Sequence, residues 1–209
     1  MPQWLMWSPL LAVYMARIWT SCEPLRGREF CSYLNELVMK DNLPDAQMLC
    51  LVKVCRVLNF ALCNDARKDK VPWPESLTLY RGGALPKEHR LWFKELKTGD
   101  KFRAPRYTAT SNKLHVAETF LANNSDPYKK DGVIWVIKLD RIYKCKHVNY
   151  LDAISSCKGE AEFLFQAYSP FEVEDVKEPT DSEPFTTITL KAAVDGKHES
   201  EHLPLSPWG

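Results

Sequence analysis

The stretch "GEAEFLF", residues 159–165, places two carboxylates against an apolar run. Phe163, Leu164, Phe165 and the Gln-Ala-Tyr that follows read as a buried strand, and Glu160 and Glu162 stand just ahead of it. Successive side chains of a strand point to opposite faces, so residues two apart share a face, about 6–7 Å from one another. Two like charges in a half-buried setting repel and lose hydration. Three readings of the pair are open. It can be a solvated pair at the mouth of a strand. It can be the carboxylate pair of a glycoside hydrolase, although that chemistry needs the two groups on opposite sides of the scissile bond, which neighbours on one strand face do not supply. Or the two can have sequential jobs, one stabilising a cation that forms on a ribose, the other holding or deprotonating the incoming nucleophile.

The rest of the chain is consistent with a globular domain. Its 209 residues suffice for one domain with a substantial core, and 45% hydrophobic with 26% charged residues is ordinary for such a domain. A net charge of +1 and the lack of a long Lys/Arg run give no electrostatic footprint for nucleic acid, so an anionic ligand would be held by a few local groups. The apolar start, "MPQWLMWSPLLAVYMARIW", has no basic residue before Arg17 and is interrupted by Pro2 and Pro9. It is read as a buried helix opened by Ser8 and Pro9 rather than a membrane span, with a secretory signal as the competing reading. Seven cysteines without a CxxC pair suggest reduced, structural thiols and hence a cytoplasmic setting, of producer or host. Cys50, Cys55 and Cys63 fall in an apolar helical run as core residues. Cys145, His147 and Cys157 match no metal spacing, and no metal is expected.

The organisation is helices first and strands afterwards, which indicates an α+β fold. Residues 1–70 read as a helical subregion, 71–195 as a β-rich core and 196–209 as an extended tail of one domain. "EFCSYLNELVMK" and "DAQMLCLVKVCRVLNFALC" have helical periodicity, with Phe30, Leu34 and Leu37 in the first and Leu49, Val52, Val57, Phe60 and Leu62 in the second as core candidates. "LTLYR", "KFRAPRYTATS", "GVIWVIKLD", "EAEFLFQAY", "FEVEDV" and "FTTITLKAAV" read as strands, the third of them central, and "NKLHVAETFLAN" as a helix capped by Ser111 or Asn112.

Two further elements bear on chemistry. "LYRGG" ends a strand on Arg81 and continues into Gly82-Gly83. Glycines admit close approach of a backbone to a ligand, and an arginine fork beside them suits a phosphate or carboxylate, although a surface arginine before a plain turn gives the same letters. "RYTATSN" places small hydroxyls where a strand gives way to a helix, which orients a ligand or merely caps the helix.

Taken in order, the three elements are more specific than any one alone. Arg81 on a strand, the hydroxyl strand 107–111 and Glu160-x-Glu162 on a later strand resemble the mono-ADP-ribosyltransferases of the Arg-Ser-Glu class, the group of cholera-toxin-like and clostridial binary toxins and animal ectoenzymes. "LTLYRGG" is similar to that family's arginine strand, "YTATSNKLHVAETF" to its Ser-Thr-Ser strand with the helix behind it, and "GEAEFLF" to its Glu-x-Glu strand. The resemblance spans roughly residues 73–176 and implies a helical cap ahead of a mainly antiparallel split β-sheet core. It implies NAD as substrate and a protein presenting an arginine as acceptor. Arg81 would bind the phosphates of NAD and the Gly82 backbone the nicotinamide amide. Glu162 would stabilise the oxocarbenium ion, and Glu160 would engage the attacking guanidinium. Thr110 and Ser111 would lie at NAD, the loop "NYLDAISSCKG" would select the protein substrate, and "LANNSDPYKKDG" would cover NAD. Phe120 or Tyr128 would stack on nicotinamide, although core packing is the readier role for Phe120. No membrane span, nucleic acid or metal is implied, and delivery as a secreted effector is compatible with the resemblance.

The resemblance has one departure. The first serine of Ser-Thr-Ser, which contacts NAD and helps position the second glutamate, corresponds to Ala109. Thr108 does not stand in for it, since adjacent strand residues face opposite sides. Loss of one positioning hydroxyl costs on the order of 1–3 kcal/mol, or roughly ten- to a hundredfold in rate. An active but slow enzyme is expected. NAD glycohydrolysis with water as acceptor, an NAD-binding or interaction module, and an α+β domain with accidental motifs are the alternatives.

Overall fold

The computed structural model describes residues 9–21, 24–25, 27–40, 42–63, 71–124 and 131–207. Helices α1 (Pro9–Trp19), α2 (Phe30–Val38) and α3 (Asp45–Cys63) come first, with the short strands β1 (Pro24–Leu25) and β2 (Arg28–Glu29) paired between the first two. There follow β3 (Thr78–Ala84), α4 (Lys87–Glu95), β4 (Lys101–Ala104), β5 (Thr108–Ser111), α5 (Leu114–Asn124), β6 (Gly132–Lys138), β7 (Val148–Tyr150), β8 (Glu162–Phe165), β9 (Ser169–Lys177) and β10 (Thr186–Ala192).

Eight strands form one sheet in the order β4-β9-β10-β6-β3-β5-β8-β7, antiparallel throughout except for the β10–β6 pair. Pairing along it is uneven. β3 is matched to β6 from Thr78 to Ala84, and β5 to β8 over its whole length, but β3 and β5 meet only where Tyr80 lies opposite Ser111. This seam separates five strands from three, so the sheet is split, as expected. "KFRAPRYTATS" is not one strand. β4 pairs with β9 at one edge of the sheet and β5 with β8 beyond the seam, and the chain crosses between them at Pro105, which has no N–H for a ladder.

Two hydrophobic cores result. One gathers Leu79, Phe102, Trp135, Phe163, Phe165 and Ile188 with their neighbours from the sheet and Phe93 of α4. The other joins Ala16, Trp19, Leu34, Leu58 and Leu62 of the three helices to Tyr107, Leu151 and Leu164. Strand β8 serves both. Phe163 and Phe165 enter the first core and Leu164 the second, which is the period-two alternation of a strand buried on both faces.

Tyr107, just before β5, is where the helices grip the sheet. Asn35 of α2 donates from Nδ2 to its carbonyl and accepts its N–H at Oδ1, at 3.1 and 2.9 Å. Its phenol donates to Asn59 Oδ1 of α3 at 2.9 Å, and its ring packs on Trp19 of α1, with centroids 5.3 Å apart.

Several expectations are revised. On α3 the buried residues are Leu51, Val57, Leu58, Ala61 and Leu62, while Leu49 is 57% exposed and Val52 also faces outward. The apolar run of α3 is broader than the face that packs on α1. Among the described residues this is the one helix long and apolar enough to cross a membrane by length and composition. Cys50 is exposed rather than in the core, while Cys55 and Cys63 are half-buried. The amphipathic helix α4, unread in the sequence, follows Pro86 and packs Trp92 and Phe93 edge-on against each other and against Phe102. The tail is pinned by Arg103, whose guanidinium donates to the carbonyls of Tyr168, Gly196, Glu199 and Ser200. Ser8 and Cys22 lie outside the described residues.

Candidate active site

A cavity of about 820 Å³ opens over the seam between β3 and β5. Its floor is Tyr80–Ala84 and Ala109–Ser111, one wall is α5 and the opposite wall is formed by residues of α1 and α2. Arg81, Gly82, Ala109, Thr110, Ser111, Phe120, Glu160 and Glu162, all named from sequence, line this one cavity. Tyr128 lies outside the described residues.

Arg81 leaves β3 toward the seam. One guanidinium nitrogen, Nη1, donates to the Ala109 carbonyl at 3.0 Å, which ties β3 to β5 where their ladder is thin. The buried Nε–H has no hydrogen-bond partner among the described residues. An unmet donor on a buried cation favours an anionic ligand beside it. Burial holds the Arg81 guanidinium below the ordinary arginine range, with Cys31 and Glu162 acting in the other direction. The group also lies over the Trp135 ring, with Cζ 6.0 Å from the centroid.

Gly82 has a tighter constraint than ligand approach. A Cβ there would lie 1.7 Å from the Ala117 carbonyl oxygen and 2.9 Å from the Leu121 nitrogen. The glycine lets α5 lie directly on β3, and that fixes the wall of the cavity. Gly83 is under no such demand, since a Cβ there would meet Trp135 at an ordinary 3.6 Å.

The hydroxyls of β5 are spent on backbone. Thr110 Oγ1 donates to the Phe163 carbonyl at 2.7 Å, and Ser111 Oγ donates to the Glu160 carbonyl at 2.6 Å while accepting the Lys113 N–H at 3.0 Å. Ser111 thus shapes the turn ahead of α5 and holds the loop that carries Glu160.

The two glutamates share the site, but not by strand alternation. β8 begins at Glu162, and Glu160 precedes it in a bend. Between them Ala161 takes φ of 50°, and just ahead of Glu160 Gly159 takes φ of 95°, left-handed conformations outside a strand. Asp152 Oδ1 accepts the N–H groups of Gly159 and Ala161 at 2.9 and 3.0 Å and so braces this turn. Burial raises the Glu160 carboxyl, and nearby Asp152 and Glu29 raise it further.

Glu162 is 7% exposed. Burial is the main cause that pushes its carboxyl up to about 7; Glu160 and Asp152 act in the same direction, against a hydrogen bond from Trp19 and the charge of Arg81. That hydrogen bond runs from Trp19 Nε1 to Glu162 Oε1 at 3.1 Å. A carboxyl that titrates near neutrality between a cation and a second carboxyl is an arrangement typical of reactive sites.

Solved structures of ADP-ribosyltransferases superpose on this chain. The Vis enzyme of Vibrio splendidus, in complex with agmatine, matches with a TM-score of 0.65 and 17% identity over 94% of this chain and 80% of its own. HopU1 of Pseudomonas syringae pv. Tomato matches with a TM-score of 0.62 and 17% identity over 87% of this chain and 76% of its own. C3stau2 of S. aureus, in a structure with NAD, matches with a TM-score of 0.60 and 15% identity over 90% and 88%. The fold is that of an ADP-ribosyltransferase. No protein-family model matches the sequence, and no curated protein matches it.

Within this ADP-ribosyltransferase fold, two placements differ from expectation. Phe120 is not a core residue: it is 44% exposed at the cavity mouth. Ala109 packs its methyl toward the second core, diagonal to Glu162 across the β5–β8 pair. Among the lining residues that were not singled out from sequence are Trp19, Arg106 and Asn35. Arg106 stands beside Arg81, and burial followed by that neighbouring charge lowers its guanidinium to about 10. The only sequence signal for it was a basic residue next to the hydroxyl strand. Trp19, far from every motif in the chain, gave none.

Proposed function

We propose that this protein transfers ADP-ribose from NAD to an arginine side chain of a protein, with release of nicotinamide. The reading rests on one arrangement: Arg81, Glu160 and Glu162 converge on a single cavity, with Arg106 beside Arg81. The cavity, at about 820 Å³, lies in the range of clefts that enclose a drug-sized ligand.

In this mechanism the pyrophosphate of NAD lies against Arg81, satisfying its unmet Nε–H, with Arg106 as a second cation. The glycosidic bond from ribose to nicotinamide breaks, and positive charge develops on the ribose. Glu162, in its ionised form, stabilises that charge in a water-poor setting where a carboxylate acts strongly. The positive nicotinamide ring and Arg81 both favour ionisation of Glu162 as NAD arrives. Glu160, at the outer end of the pair, orients the incoming guanidinium and accepts its proton as the new bond to ribose forms. Similarity to the Vis structure with agmatine, a guanidinium compound, supports arginine as acceptor.

The test is incubation of the full chain with labelled NAD and either agmatine or an arginine-rich protein, following label transfer and nicotinamide release together. Glu162→Ala is expected to abolish both signals. Glu160→Ala is expected to lose transfer and retain part of the release. The rate per free enzyme and NAD should rise with pH through about 7 and level off above it, because the ionised Glu162 is the active form. Transfer that survives Glu162→Ala would refute the reading. Release without transfer in the wild type would assign the site to NAD hydrolysis instead.

A further inference from the structure

We infer that Trp19, from the N-terminal helix, is the positioning residue of Glu162, supplying through its indole N–H the hydrogen bond that no side chain of the hydroxyl strand provides. The inference deepens the function proposed above and rests on it for the catalytic consequence.

The donors around Glu162 settle the assignment. Ala109 lies diagonal to Glu162 on the neighbouring strand, where a hydroxyl would be within reach, and it has none. Thr110 and Ser111 donate to the carbonyls of Phe163 and Glu160, and Thr108 donates to the Arg106 carbonyl. Among the described residues, Trp19 Nε1 is the one hydrogen-bond donor to the Glu162 carboxyl, at 3.1 Å with both groups buried. The indole itself is held. It is 3% exposed, packs at a tilt against Tyr107 and belongs to the core that joins the helices to β8. A rigid donor fixes one carboxyl oxygen and leaves the other for the substrate.

Three charged groups act on the same carboxyl. Arg81 from β3 favours its ionisation, and Glu160 and Asp152 from the loop ahead of β8 oppose it. The indole N–H adds to the side of Arg81. Removing it should therefore move Glu162 toward its neutral form.

The experiment uses the full chain in wild-type, Trp19→Phe, Glu162→Gln and Trp19→Phe/Ala109→Ser forms. Two NMR titrations need no activity. The Trp19 indole N–H resonance should shift with the midpoint of Glu162 and become independent of pH in Glu162→Gln. The labelled Glu162 carboxyl should titrate about one pH unit higher in Trp19→Phe. With NAD, Trp19→Phe should lower kcat for nicotinamide release roughly tenfold or more at pH 7 while changing KM for NAD less than about twofold. Its acid limb should move to higher pH, and Ala109→Ser should recover part of the loss by restoring a donor from the strand. An indole resonance blind to Glu162 in the wild type would overturn the inference, even if Trp19→Phe fails to fold. So would a Trp19→Phe protein whose Glu162 titration and pH profile match the wild type. A wild type without NAD chemistry would remove the proposed function, while the two titrations would still decide what Trp19 does.

Discussion

Glu162 keeps a proton in the fold at a pH where a free glutamate has lost it. Its carboxyl is raised from an ordinary 4.5 to about 7, chiefly by burial. Between those values the folded chain binds the proton and the unfolded chain does not, so stability falls as pH rises through this window. The contribution is fully present below about 4.5 and lost above 7, in total about 3 kcal/mol. Glu162→Gln, neutral at every pH, should therefore be progressively more stable than the wild type from pH 4.5 to 7, and the gap should stay constant above that. Urea denaturation across this range checks it; parallel stability curves would mean that Glu162 titrates normally. The residue pair was legible as two carboxylates before an apolar run. How they meet was not. Period two is a property of strands, and the positive φ of Ala161 that takes Glu160 out of the strand depends on Asp152, eight residues upstream of Glu160.

At the level of elements, the packing of α5 on β3 decides the shape of the site. Gly82→Ala would drive a Cβ into the backbone of α5, which has no rotamer with which to give way. The expected loss is about 3 kcal/mol or more, with the cavity wall displaced. Gly83→Ala meets only an ordinary contact and should change stability little. Thermal denaturation of the two variants separates a packing glycine from a neighbour of the same type, and equal effects would count against the contact described. The glycine pair was visible in the sequence, but the partner of Gly82 was not, because Ala117 and Leu121 belong to a later element. The three N-terminal helices and the central strand β6 were legible for a local reason: their apolar runs are long and carry their own period. The break between β4 and β5 was hidden because each half pairs with a different, distant strand. The short amphipathic helix α4 sits inside a charged stretch, "KEHRLWFKE", whose apolar residues number too few to declare a period.

On the scale of the whole molecule, the sheet is two ladders held together at Tyr80–Ser111 and by the Arg81 bond to the Ala109 carbonyl. The proposed anchoring points for NAD fall on both sides: Arg81 belongs to β3, and Glu162 to β8. A molecule that reaches from one to the other takes the place of missing rungs. Substrate would then work as a strut, bracing two bodies that the chain itself joins loosely. Amide hydrogen exchange measures this directly. Without NAD, the amides that close the β3–β5 bridge at Tyr80–Ser111 should exchange well ahead of those that pair β3 with β6. With NAD at a hundred times its dissociation constant, binding adds about 2.7 kcal/mol to the folded state, and the slowing of exchange should be greatest at the seam rather than uniform.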